Sequence, residues 1–280
     1  MNKPQWITAG IAVILVIGLY AATEKQVFGP PKTKKPEAQP TEAGLSIDSI
    51  LYESKKGLPP NQTTRLDLLE HSISRGDVKN QQLQVYHQLA HYWADTARKF
   101  YPYAWYTAES ARLENSEKSL TFAARLFLDN LASEERPAYK QWAALQAKDL
   151  FDGSLKMNPN NDSSKVGLGA VYLYGGIAMP MQGIGMIREV ADRDSTNIYA
   201  QMTLGQASIA SSQLDKAVDR FKTVIRLQPD NAEAVLLLAE TYEQMGDKNS
   251  AIGWYKKSLP LIKIPELKKE VEARIAELSK

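Results

Sequence analysis

From Ser46 onward the apolar positions of this chain recur at helical spacing, and no stretch alternates apolar and polar residues as a half-buried strand would. Near the C-terminus the amphipathic segments fall into register with one another. Leu204 and Gly205 return as Leu238 and Ala239, Ala217 as Ala251, Phe221 as Tyr255 and Asn197 as Asn231, each after 34 residues. The residue types have a packing reason. Small side chains at 205/239 and 217/251 let two helices cross closely, and large apolar ones at 204/238 and 221/255 fill the space beside the crossing. Each unit is therefore expected to be a helix pair, closed here by Pro229.

Looser copies precede this pair. KVGLGAVYLY (165–174) repeats the Leu–Gly step at Leu168 and Gly169, and GIGMIREVADRDSTN aligns with AVDRFKTVIRLQPDN at a shift of 34, so the connection GGIAMPM must be about two residues longer than its counterpart. Ala147, Phe151 and Pro159 match the second-helix pattern, with EKSLTFAARLFLDNL as their first helix beyond an extended turn at SEERP. QLAHYW pairs with Ala104, Ala108 and Ala111 across the aromatic turn FYPY. The reading gives about five units over 83–263, two short helices over 46–82 as an N-terminal cap, and a capping helix within 264–280 that is apolar at Leu267, Val271, Ile275 and Leu278.

A 34-residue period with Leu–Gly/Ala in one helix and Ala, then an aromatic, in the next resembles the tetratricopeptide repeat (TPR) motif. The resemblance spans roughly 180 residues and is closest over 198–259. It implies an all-α fold, a TPR-type solenoid in which helix pairs wind into a right-handed superhelix. It also implies a concave groove, lined by first helices, that takes a protein or peptide partner. On that numbering the groove is lined in turn by His87, His91 and Asp95, by Lys118, Thr121, Arg125 and Asp129, by Tyr199, Met202, Gln206 and Ile209, and by Glu233, Leu236, Glu240 and Glu243. Its chemistry would run from histidine and basic, through apolar, to acidic. The chaperone-binding TPR domains that clamp a C-terminal carboxylate need Asn and Lys at set first-helix positions. Those places hold His87 and His91, so that function does not carry over.

The N-terminus adds a second feature. Trp6–Ala22 is a run of 17 uncharged residues that covers roughly 25 Å as a helix, with aromatics at both ends. A cleaved signal peptide is the competing reading, but cutting after Ala21 or Ala22 puts Leu19 or Tyr20 where a small residue is needed. Residues 1–23 are thus expected to be a transmembrane helix and 24–45, with four prolines and mixed charge, a tether. The whole is similar in architecture to membrane-anchored bacterial TPR proteins and to the TPR subunits that accompany the Sec translocon. The expected location is a bacterial inner membrane, crossed once, with the body on the cytoplasmic side because four lysines follow the span; a short N-terminal tail argues instead for the periplasm.

Composition narrows the function further. Of 34 basic and 32 acidic residues, five lysines and three glutamates precede Ser46, so the body is balanced and lacks the basic excess that drives nucleic-acid binding. The chain has no cysteine, which removes disulfides, thiolate metal sites and a Cys nucleophile. Gly167 and Gly169 form a GxG, but Tyr172 stands where a dinucleotide fingerprint needs its third glycine, and no strand precedes it. His87 and His91 have the spacing of a helical metal pair, yet the reading favoured here is a polar contact surface, with no metal and no cofactor. Tyr86, Tyr92, Trp93, Trp105, Tyr106 and Trp142 are assigned to the inter-helix core. No enzyme active site is expected. The function expected is that of a membrane-anchored scaffold or adaptor; the alternative is a chaperone-like or assembly factor at the secretion machinery.

Overall fold

The structure, a computed structural model, describes residues 45–73 and 79–280. Helices α1 (Ile47–Lys55) and α2 (Pro60–Ile73) precede five helix pairs. These are α3 (Lys79–His91) with α4 (Phe100–Glu114), α5 (Glu117–Leu131) with α6 (Pro137–Met157), α7 (Asp162–Tyr174) with α8 (Pro180–Arg193), α9 (Ile198–Ala210) with α10 (Leu214–Leu227), and α11 (Ala232–Gln244) with α12 (Lys248–Ser258). Helix α13 (Pro265–Leu278) follows, and no strand occurs among the described residues. The two helices of each pair make the most extensive contacts in the molecule. The first helices α5, α7 and α9 also pack on one another in succession, so they form the inner, more closely spaced layer of the array.

The repeated asparagines start the first helices. Asn161, Asn197 and Asn231 are N-caps of α7, α9 and α11, and each Oδ1 accepts the backbone N–H three residues on, at 2.8, 3.0 and 2.9 Å. Each bond satisfies an amide that the helix itself leaves unpaired. The small residues mark the crossings. A Cβ on Gly205 would lie 2.5 Å from Phe221 Cε1, and one on Gly169 would lie 2.6 Å from Ile187 Cγ1 and 2.8 Å from the Gly183 carbonyl oxygen. Gly167 faces the Phe151 ring of the preceding unit in the same way, so both glycines of the GxG are packing residues. The α7–α8 connection, 175–179, is two residues longer than 211–213 and 245–247 in the units that follow, as the alignment required.

Two local features depart from the simple repeat. Helix α3 ends in a π-turn over Tyr92–Thr96, where the Ala97 amide donates to the Tyr92 carbonyl at 3.0 Å, and Arg98 then takes a left-handed φ of 52°. The long turn between α5 and α6 is tied by a side-chain knot. Glu134 accepts from Arg136 Nε and Nη2 at 2.9 and 2.8 Å, and from the Tyr101 hydroxyl of α4, while Arg136 lies over the Tyr139 ring at 3.6 Å. The aromatic residues form core as expected. Trp93, Tyr92, Tyr106 and Trp142 are buried, and Tyr86 and Trp105 pack against the same clusters.

No helix among the described residues is long and apolar enough to cross a membrane. The longest, α6, has 21 residues but carries Lys140, Lys148, Asp149, Asp152 and Lys156. This overturns the expectation of a single-pass inner-membrane protein. The segment on which that expectation rested, Trp6–Ala22, and the tether after it lie outside the described residues.

Candidate functional site

The exposed stripes of the first helices border four cavities, two of them at the N-terminal end. The middle one, of about 540 Å³, brings together Arg125 and Asp129 of α5, Tyr199, Met202 and Gln206 of α9, and Glu233 of α11. Helical periodicity explains the convergence: 125 and 129, and 199, 202 and 206, each fall on one stripe of their helix. The Arg125 guanidinium stands 5.0 Å over the Tyr199 ring. Burial pushes the Tyr199 hydroxyl up to about 12, so it stays a neutral donor at ordinary pH. Gln206 Nε2 donates to Glu233 at 3.4 Å. Met202 is only 8% exposed, so it offers the cavity a floor of thioether and methyl more than a free side chain.

Glu233 also borders the C-terminal cavity, of about 560 Å³, so the two adjoin. Here the lining is apolar, from Leu236 and Leu237 of α11 and Leu261, Ile262, Ile264 and Leu267 near α13, with Glu240 at the rim. Desolvation, and then the nearby charge of Glu243, raise the Glu240 carboxyl above its ordinary range. Glu243 itself is engaged: it accepts from Arg274 of α13 and from the Tyr255 hydroxyl at 2.9 Å, and the Arg274 bond holds its carboxyl below the ordinary range.

One N-terminal cavity, of about 240 Å³, is lined by His87 and His91 of α3, Thr107 and Ser110 of α4 and Ser119 and Phe122 of α5. His87 Nε2 lies 2.7 Å from Ser110 Oγ, and His91 Nδ1 lies 3.4 Å from Asp95 Oδ2. The two rings are thus engaged with different partners, and no group of three His, Asp or Glu residues converges as a metal site among the described residues. Asp95 sits on the π-turn and still lines, with His87 and His91, a second cavity of about 310 Å³ there, which Arg65 and Leu69 of α2 complete.

Several candidates lie off these linings. Lys118 is exposed on the first turn of α5, and Ile209 packs into the α9–α11 core. Thr121 is 8% exposed and belongs to a buried hydroxyl triad, with Ser154 Oγ at 2.9 Å and Ser164 Oγ at 2.8 Å. Sequence reasoning missed Phe122, which is 59% exposed beside the histidines, and the Leu261–Ile264 side of the C-terminal cavity. Phe122 carried a legible signal, an aromatic on the polar stripe of α5; the turn after α12 carried none.

Residues 208–260 match a family model described as a tetratricopeptide repeat. No curated protein matches the chain significantly. Among solved structures the chain is similar to TTC0263, a thermophilic TPR protein of Thermus thermophilus, at 16% identity over 72% of this chain and 98% of that one, with a TM-score of 0.51. It is similar to MamA of Desulfovibrio magneticus RS-1 at 22% identity, over 66% of this chain and 96% of that one, with a TM-score of 0.45. It is also similar to YrrB, described as a TPR protein with an unusual peptide-binding site, at 14% identity over 73% and 97% of the two chains, with a TM-score of 0.42. At such identities the likeness to TTC0263 shows a shared fold. With the 34-residue period and the paired helices in agreement with the matched segment, residues 208–260 carry a tetratricopeptide repeat, and the helix pairs before them share its fold.

Proposed function

We propose that this protein is a non-catalytic scaffold that holds a segment of a partner protein along the inner face of its first helices. The observation that carries this reading is the adjacency of the two larger cavities through Glu233. The first has Arg125 and an aromatic–thioether floor, and the second has an apolar bed rimmed by Glu240. A partner segment with a carboxylate near Arg125, apolar side chains over Met202 and Leu236, and a basic residue near Glu240 would match the chemistry of those residues along the path. Such grading of charge fixes direction as well as choice of partner.

The test is a photo-crosslinking residue placed at Gln206, on the inner face, and in a second protein at Lys256, on the exposed side of α12. The expected result is one dominant protein adduct from position 206 in cells, absent from position 256. It should be lost when Lys118→Glu and Arg125→Glu are introduced together without a change in helicity or melting. Equal adducts from both positions, or an adduct indifferent to the charge reversal, would overturn the proposal. A broad ladder of adducts from position 206 favours the chaperone-like alternative.

A further inference from the structure

We propose that the outer surface carries a second binding site, in the groove between α8 and α10, for an acidic segment of a protein partner. This groove, a cavity of about 380 Å³, lies on the face opposite the first-helix stripes, with the back of α9 as its base. Its floor is formed by Ile184, Leu204 and Ala207, with the buried Gln201 beside them. Four cations surround that floor: Arg188 from α8 and Lys216, Arg220 and Arg226 from α10, against one acid, Asp219. Lys216, Arg220 and Thr223 follow at helical spacing on one stripe, which Arg226 continues, so the charged ends run along the groove for about 15 Å.

None of the four forms an ion pair with a carboxylate of the described residues; Lys216 and Arg220 instead donate to the amide oxygens of Gln213 and Gln201. Elsewhere on the second helices the pattern differs. Lys148 pairs with Asp152 at 2.6 Å, and Arg112 of α4 reaches Asp149 of α6 at 3.0 Å. On α8, Glu189 is taken by Lys165 at 2.6 Å. The groove is therefore a local excess of uncompensated positive charge on a body whose total charge is balanced.

The hydroxyls choose between anions. A phosphate cradle needs fixed donors aimed at the oxygens. Here Ser208 donates to the Leu204 carbonyl at 2.7 Å, Ser211 to the Ala207 carbonyl at 2.9 Å and Thr223 to the Asp219 carbonyl at 2.9 Å, so each spends its proton on its own helix. What remains, beside Ser195 and the amides of Gln201 and Gln213, is a row of long flexible cations over Ile184, Leu204 and Ala207. That suits carboxylates spaced along an extended chain of about four or five residues, with one apolar side chain seated between them. Duplex or single-stranded nucleic acid offers no such side chain, and four cations give it little purchase.

The experiment uses the purified full chain and a dye-labelled peptide with glutamates on both sides of a single leucine, followed by fluorescence anisotropy. Binding is expected to weaken as salt is raised, and to weaken again when the leucine is replaced by serine. Arg188→Glu combined with Lys216→Glu, both exposed, should weaken binding about tenfold or more with unchanged helicity and melting. The inner-face pair Lys118→Glu with Arg125→Glu should leave it unchanged, which separates this site from the inner groove. No binding by the unaltered chain, equal binding by the Arg188/Lys216 variant, or tighter binding of a labelled oligothymidylate than of the peptide overturns the proposal.

Discussion

Gly205 and Gly253 show how one residue type acquires opposite roles from its surroundings. Gly205 sits where α9 crosses α10, and any Cβ there meets the Phe221 ring. Gly205→Leu is expected to cost about 1–3 kcal/mol or more, read as a lowered melting temperature; an unchanged temperature would mean that the helices do not cross there. Gly253, inside α12, has nothing within 4 Å of a built Cβ, and it is exposed. Gly253→Ala should stabilise by about 0.5–1 kcal/mol, because alanine loses less backbone entropy in a helix. The first role was legible in the sequence, since Gly205 recurs as Ala239 one period later. The burial of Thr121 was not. Its position on a first-helix face pointed to the groove, while the hydroxyls that draw it inward come from Ser154 and Ser164 in other helices.

At the scale of elements, the α5–α6 turn shows what holds the irregular connections. The bonds from Arg136, then that from Tyr101, lower the Glu134 carboxyl to about 2. A carboxyl depressed in the folded state stabilises above its unfolded value. That contribution is lost as pH falls from the ordinary glutamate range toward about 2. Urea midpoints measured from neutral to acid pH should therefore show Glu134→Gln less stable than the unaltered chain at neutrality, the gap closing as the solution is acidified. A gap independent of pH would mean that the charge of Glu134 contributes nothing. Sequence spacing marked this turn as extended but gave no sign of its partners, because Tyr101 lies on a different helix 33 residues earlier. The π-turn of α3 was equally hidden: YWAD reads as ordinary helix until the Ala97 amide is followed to its acceptor.

Over the whole molecule, the helix pairs and their order were legible because each pair repeats a local pattern, and even the longer α7–α8 connection followed from aligning two copies. The composition of the grooves was legible only in part. Arg125, Tyr199, Met202 and Gln206 line one cavity, whereas Glu243 is bound by Arg274, 31 residues away on α13. Helix α13 covers the end of the array, with Val271 buried and Leu267, Ile275 and Leu278 packed against Ala251 and Tyr255. A chain ending before Pro265 is expected to melt lower and to bind a hydrophobic dye that the full chain does not; equal melting and no dye binding would mean that α13 is dispensable.

Nearly every helix packs on the one made just before it, and this sets the order in which the fold can appear during synthesis. A pair can close as soon as its second helix leaves the ribosome, and local contacts of this kind form fast. The exception is α1. Its Ile50 is buried among Tyr101, Ala104 and Ala108 of α4, across two intervening helices. At about 5–20 residues per second, α1 waits several seconds for that partner. During this interval Ile47 and Ile50 are among the first apolar side chains a nascent-chain chaperone would meet on the described helices.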